Sequence, residues 1–87
     1  MPYDVKLLPK AQKHYDFWER HRPDCAAKID ELIEAIKQDP FRGIGKPEPL
    51  KHGLHGFWSR HITEGHRILY KVEDNLILVH RCYGHYL

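Results

Sequence analysis

An α+β domain is what this sequence predicts: an antiparallel β-sheet with a two-helix hairpin packed on one face, in the order β-α-α-β-β-β. Three observations predict it. Apolar residues recur at helical spacing through the first half of the chain, they alternate at strand spacing after Gly56, and a stretch rich in Gly and Pro separates the two regimes. The 87 residues suffice for one domain, residues 1–87. A hydrophobic fraction of 41% is that of a globular chain rather than a disordered one.

Taken in order, Tyr3 to Leu8 (YDVKLL) alternates loosely and reads as a short edge strand. Pro9 suits the first turn of a helix, where its missing N–H is not needed. From Lys10 to Arg22, Ala11, Tyr15 and Trp18 fall on one helical face. Pro23 interrupts that helix, and Asp24 is placed to N-cap a second one. Ala26, Ile29, Ile33 and Ile36 then recur at helical spacing with Leu32 beside them, until Asp39-Pro40 stops the run. The two helices form an antiparallel pair over one face of the sheet. Phe41 to His55 keeps neither period and holds Gly43, Gly45, Gly53, Pro47 and Pro49, so it reads as a loop. Within it the backbone of Glu48 is restricted by a proline on either side. A long loop in a small domain is often functional.

Gly56 to Val72 carries the clearest signal. Two runs rich in aromatic and β-branched residues, FWSRHI and HRILYKV, flank Thr63-Glu64-Gly65, which reads as a β-hairpin. The hairpin bears Arg60, His61, His66 and Arg67, a mixture that suits one face in a core and one toward a partner. Asp74-Asn75 makes a second turn, and Asn75 to Tyr83 (NLILVHRCY) reads as a central strand because it is apolar on both faces.

Charge and composition bound the function. Residues 1–40 contain seven Lys/Arg and eight Asp/Glu, whereas residues 41–87 contain seven Lys/Arg and four Asp/Glu. Six of the eight histidines also fall in the second half, so the pattern is a scaffold followed by a basic surface suited to an anion. No apolar run approaches the ~20 residues of a membrane helix, and MPYDVKLLPK lacks the apolar core of a signal peptide, so no membrane association and a cytoplasmic location are expected. Cys25 and Cys82 are too few for a disulfide framework and read as two half-buried thiols.

The side chains of the second half match RNA cleavage by the ribose 2′-OH. That reaction needs a base for the 2′-OH, an acid for the leaving 5′-oxygen and a cation for the phosphorane. Glu48, Arg60, Arg67 and His85 supply these types, and Trp58, Tyr83 and Tyr86 are aromatic surfaces on which bases stack. No zinc spacing is present, so neither a metal nor another cofactor is expected. Gly43-Ile44-Gly45 is too short for a phosphate loop, and no GxSxG signature occurs.

The stretch PFRGIGKPEPLKHGLHGFWSRHITEGHRILYKV, with the closing His85-Tyr86, resembles the YoeB/Txe family of toxins in the RelE superfamily. The resemblance runs from about Trp18 to Tyr86. It implies a small fold resembling microbial ribonucleases, in a toxin of a type II toxin-antitoxin system. Such a toxin is an endoribonuclease that cuts mRNA in the A site of the 70S ribosome, and a YefM/Phd-type antitoxin neutralises it. A homodimer is a further expectation. The resemblance places the catalytic glutamate at Glu48, the transition-state arginine at Arg67 and the general-acid histidine at His85, with Lys51, Arg60, His61 and Tyr86 as RNA-binding residues.

Two regions depart from the family pattern. His61 stands where the family has a second arginine, which removes a permanent charge and a bidentate phosphate fork. The usual RYHY ending reads CYGHYL, with Gly84 expected to loosen His85 and Leu87 following the tyrosine. Two alternatives follow. One is a non-catalytic toxin aimed at DNA gyrase, as in ParE relatives that lack the Glu/His set. The other is an attenuated toxin retained as an antitoxin partner.

Overall fold

Proline opens both helices, and a single residue joins them. The computed structural model describes residues 3–51 and 53–85. After strand β1 (Asp4–Leu7), helix α1 spans Pro9–His21 and helix α2 spans Pro23–Gln38, each with proline in its first turn. Arg22 closes one helix and opens the next: its N–H bonds to the Trp18 carbonyl at 2.7 Å, and its carbonyl accepts from Cys25 and Ala26. Asp24 is therefore not the N-cap expected. It lies inside the first turn of α2, where its carboxylate takes two bonds from Arg22 at 3.0 and 2.9 Å. Proline preset the start of the helix one residue earlier than a capping side chain would have.

The apolar stripes do pack as their spacing predicts. Ala11 and Trp18 of α1, and Ala26, Ile29, Leu32 and Ile36 of α2, are buried against sheet residues that include Ile68, Tyr70, Ile77 and Val79. Each fully buried aliphatic chain of this size contributes roughly 1.5–3 kcal/mol. Both cysteines are fully buried rather than half-buried, and burial pushes the Cys82 thiol up to about 12.

Strands β2 (Glu48–Pro49), β3 (Phe57–His61), β4 (Arg67–Glu73) and β5 (Leu76–Arg81) complete a five-stranded sheet of order β1-β5-β4-β3-β2. The hairpin and the turn at Asp74-Asn75 fall as expected, with Asp74 at φ 53°. Three features correct the sequence reading. The sheet is mixed, because β1 pairs parallel with β5, from Asp4 with Leu76 to Leu7 with Val79. Both helices lie between these strands in the chain, a crossover that brings them side by side in the same direction. The middle strand is β4; β5 is interior but next to the β1 edge. Finally, Glu48–Pro49 is a two-residue strand, with Glu48 opposite Ser59 and Pro49 opposite Trp58.

The loop from Asp39 to Gly45 is tied to this sheet by a buried guanidinium. Arg60 is 0% exposed. Its Nη2 donates to the carbonyls of Asp39 (2.6 Å) and Arg42 (3.0 Å), its Nη1 to that of Ile44 (3.1 Å) and its Nε to the Tyr70 hydroxyl (3.0 Å). That hydroxyl donates onward to the Pro40 carbonyl at 2.7 Å. The loop lies so close that a Cβ on Gly45, at φ 82°, would meet Leu32 Cδ2 at 2.7 Å. Tyr70→Phe keeps the ring and removes one acceptor and one donor from a dry site. It is expected to lower unfolding free energy by about 1–3 kcal/mol. Urea denaturation checks this, with a lower midpoint at unchanged slope.

Candidate active site

Strand parity sorts the candidate residues onto two faces. Along β3, Trp58 and Arg60 point one way and Phe57, Ser59 and His61 the other. The face of Arg60 also holds Ile68 and Tyr70 and is covered by the helices. The opposite face gathers Glu48, Ser59, His61 and Arg67 through the pairs Glu48 with Ser59 and His61 with Arg67. Arg60 is therefore not an RNA contact: its charge is enclosed in the core. Trp58 packs on that core and on Phe41, with ring centroids 5.1 Å apart. Tyr83 lies against Trp18 and His66, at 5.2 and 4.7 Å.

Arg67 is the fixed centre of the site. Its side chain is 11% exposed, and Nη1 lies 3.4 Å from Glu48 Oε1 and 3.5 Å from Ser59 Oγ. Glu48 is 60% exposed, so the pair joins a held cation to a movable anion. Its backbone is placed by β2. The short strand and the loop that precedes it, rather than the flanking prolines alone, fix where the carboxylate starts.

His61 registers the other charges of this face. Burial lowers its pKa, the Arg67 and Lys46 cations lower it further, Glu48 opposes them, and His85 adds to the lowering. Glu48, Arg67 and His85 thus act on one imidazole, although they come from β2, β4 and the chain terminus. His85 itself is exposed. Lys51 is exposed in the segment after β2, and Tyr86 lies outside the described residues. Gly84 does not loosen the terminus as expected. Its N–H donates to His66 Nδ1 at 2.8 Å and its carbonyl accepts from the Arg67 N–H at 2.9 Å, at a φ of 89° that glycine adopts without strain.

Ser59 and Lys46 are not among the residues the sequence points to, and His66 is there only as one of the hairpin's basic side chains. Ser59 shares the parity of His61, which is a readable signal. Lys46 enters through a tertiary contact and leaves no mark in the spacing.

The sequence profile of the YoeB-like toxins of bacterial type II toxin-antitoxin systems matches residues 8–86, a span that includes Glu48, Arg67 and His85. The chain belongs to this family. The toxin YoeB of Escherichia coli strain K12 is 50% identical to it over 72 residues, 83% of this chain and 86% of that one. Among solved structures, a YoeB/ParE toxin from Agrobacterium tumefaciens has a TM-score of 0.89 at 38% identity, covering 95% of this chain and 99% of that one. The YoeB dimer from Staphylococcus aureus has a TM-score of 0.89 at 36% identity, covering 99% and 100%. The YoeB-like α+β fold, two helices on a five-stranded mixed sheet, is thus shared with these toxins.

The histidines of this YoeB-like toxin make its stability depend on pH. His14, His61 and His80 all have lowered pKa values, with burial the largest cause in each. In the unfolded chain they titrate near the ordinary 6.5. Between that value and their lowered ones the unfolded state binds more protons, so stability rises with pH there. The contribution is complete above pH 6.5 and is lost as pH falls through the lowered values. Urea midpoints are expected to fall on acidification from pH 7.5 to 5. The same series with His61→Asn should show a shallower fall.

Proposed function

We propose that this toxin is a ribosome-dependent endoribonuclease that cleaves mRNA in the ribosomal A site and so stops translation. The observation that carries the reading is the Arg67–Glu48 contact at 3.4 Å, on a face where His85 and His61 interact electrostatically. Glu48 takes the proton of the ribose 2′-OH as its oxygen bonds to phosphorus. Arg67 stabilises the negative charge on the phosphorane. His85 gives its proton to the 5′-oxygen as the P–O5′ bond breaks, which leaves a 2′,3′-cyclic phosphate. Lys51 and Tyr86 contact the flanking RNA. These steps use side-chain acid-base chemistry and ask nothing of a metal ion.

The partners in this reading are the 70S ribosome with its mRNA and a YefM/Phd-type antitoxin. A Staphylococcus aureus relative, of TM-score 0.85 and 36% identity, was solved as a YoeB-YefM complex, and a YoeB dimer from the same organism supports self-association. The site of action is the cytoplasm.

In a translation extract, His85→Ala is expected to slow mRNA cleavage by roughly 10²–10⁴-fold, the usual effect of losing a general acid. His85 is exposed, so the fold should survive the change. A wild-type protein that leaves mRNA intact, or damages DNA through gyrase instead, would overturn the assignment.

A specific observation also supports attenuation. His61 sits directly across from Arg67, and its pKa is lowered by burial and by the Arg67 and Lys46 cations, at the position where the resemblance to the YoeB/Txe pattern implies an arginine. His61→Arg restores a permanent cation able to hold phosphate with two bonds. It is expected to raise cleavage roughly tenfold, about 1.4 kcal/mol of added stabilisation of the transition state. An unchanged rate would show that attenuation does not lie at this position.

A further inference from the structure

The backbone just before His85 is held by a side chain that the proposed cleavage does not use. Gly84, immediately before it, is held at both ends of its backbone. Its N–H donates to His66 Nδ1 at 2.8 Å, and its carbonyl accepts from the Arg67 N–H at 2.9 Å. Residues 66 and 67 are consecutive, so Gly84 is docked on the chain beside Arg67 itself. His85 Cα is one peptide, about 3.8 Å, from Gly84 Cα.

The His66 ring is held in its turn. It sits edge-on to Trp18 with centroids 4.7 Å apart and tilted against Tyr83 at 4.7 Å. Its main-chain carbonyl accepts from Ile62 at 2.9 Å and Thr63 at 3.2 Å, which anchors it to the hairpin turn. Further up the same segment, Cys82 donates to His14 Nδ1 at 3.2 Å and accepts from Trp18 Nε1 at 2.7 Å. Residues 82–84 are therefore bound to α1 at one end and to the start of β4 at the other.

We propose that His66 is a positioning residue, whose unprotonated Nδ1 clasps the Gly84 amide and so fixes where His85 presents its imidazole. The proposal rests on the reading of His85 as the general acid. An amide donor requires a lone pair on Nδ1, so the proton of the neutral ring lies on Nε2. Arginine or lysine offers no acceptor at this place, and phenylalanine offers the ring alone. Gly84 and His66 lie outside the buried cluster of Ile29, Leu32 and Ile77, so breaking the clasp displaces His85 and leaves that packing in place.

The test compares wild type, His66→Phe and His66→Asn as full-length proteins. Phenylalanine keeps the ring and loses the acceptor. Asparagine loses the ring and returns an acceptor oxygen near the position of Nδ1. Two quantities are read: hydrogen exchange at the Gly84 amide, by NMR, and single-turnover mRNA cleavage on saturated ribosomes. His66→Phe is expected to expose the Gly84 amide and to lower the single-turnover rate by roughly 10²-fold with KM little changed, the scale set by a misplaced catalytic group. His66→Asn is expected to restore both in part. The rate should track Gly84 protection across all three proteins, and a variant in which the two part company overturns the proposal. If His66→Phe does not fold, the wild type decides: a proton on Nδ1, or an unprotected Gly84 amide, overturns it. A wild type that does not cleave mRNA refutes the nuclease reading, while Gly84 protection still tests the clasp.

Discussion

A positive charge enclosed in the core, with no carboxylate accepting from it among the described residues, holds the site together. Removing the Arg60 guanidinium from water is costly, and the structure offsets that cost with carbonyl dipoles. Three of its bonds go to the backbone of the loop at Asp39, Arg42 and Ile44, and a fourth goes to Tyr70. Lysine could not replace it, because a single ammonium cannot span three carbonyls and a hydroxyl from one planar fork. A loop with glycines at 43 and 45 and prolines at 47 and 49 has little apolar surface to hold it. Arg60 gives it a buried anchor, and the bond from His61 N–H to the Gly45 carbonyl at 2.7 Å adds a second.

That anchor has consequences on the other side of the sheet. Once residues 39–45 are fixed, the chain emerges beside β3, and Glu48 pairs with Ser59. Ser59 and His61 share a face, and His61 pairs with Arg67, so strand geometry carries Glu48 to Arg67. The clasp on Gly84 brings the terminus to the same place from β5. Three distant segments meet because one inward arginine and one imidazole each hold a stretch of irregular backbone that has no ladder of its own.

Most of the framework was legible, and the exceptions share a cause. The hairpin, the turn at Asp74-Asn75 and both helices follow from local period and local breakers, which neighbours in sequence determine. The parallel pairing of β1 with β5 is set by residues more than 70 positions apart, and no local pattern encodes it. Glu48–Pro49 is too short to show a period, and the prolines at 47 and 49 argue against a strand. Arg60 departs from its expected role for a reason that is legible in the sequence. It alternates with Trp58 and Ile62, both apolar, so parity alone directs it inward. Gly84 departs from expectation for a different reason. Glycine reads as freedom in a sequence, but here its positive φ allows two hydrogen bonds that hold it still.

Arg67 is less well satisfied than its burial would warrant. Its contact with Glu48 at 3.4 Å is longer than the 2.7–2.9 Å of a strong charge-assisted bond. Its Nε is buried and has no acceptor among the described residues. Leaving such a donor unmet costs about 1–3 kcal/mol, which an ordinary structural arginine avoids by choosing another rotamer. The Arg67 side chain is 11% exposed and keeps its Nη1 between Glu48 and Ser59 instead. The unmet donor and the loose carboxylate are therefore consistent with a site shaped for an anion that carries several oxygens. A phosphate arriving there would satisfy the guanidinium better than Glu48 does, and the displaced, solvent-exposed carboxylate would be left unpaired beside the sugar, where the proposed cleavage calls for a base.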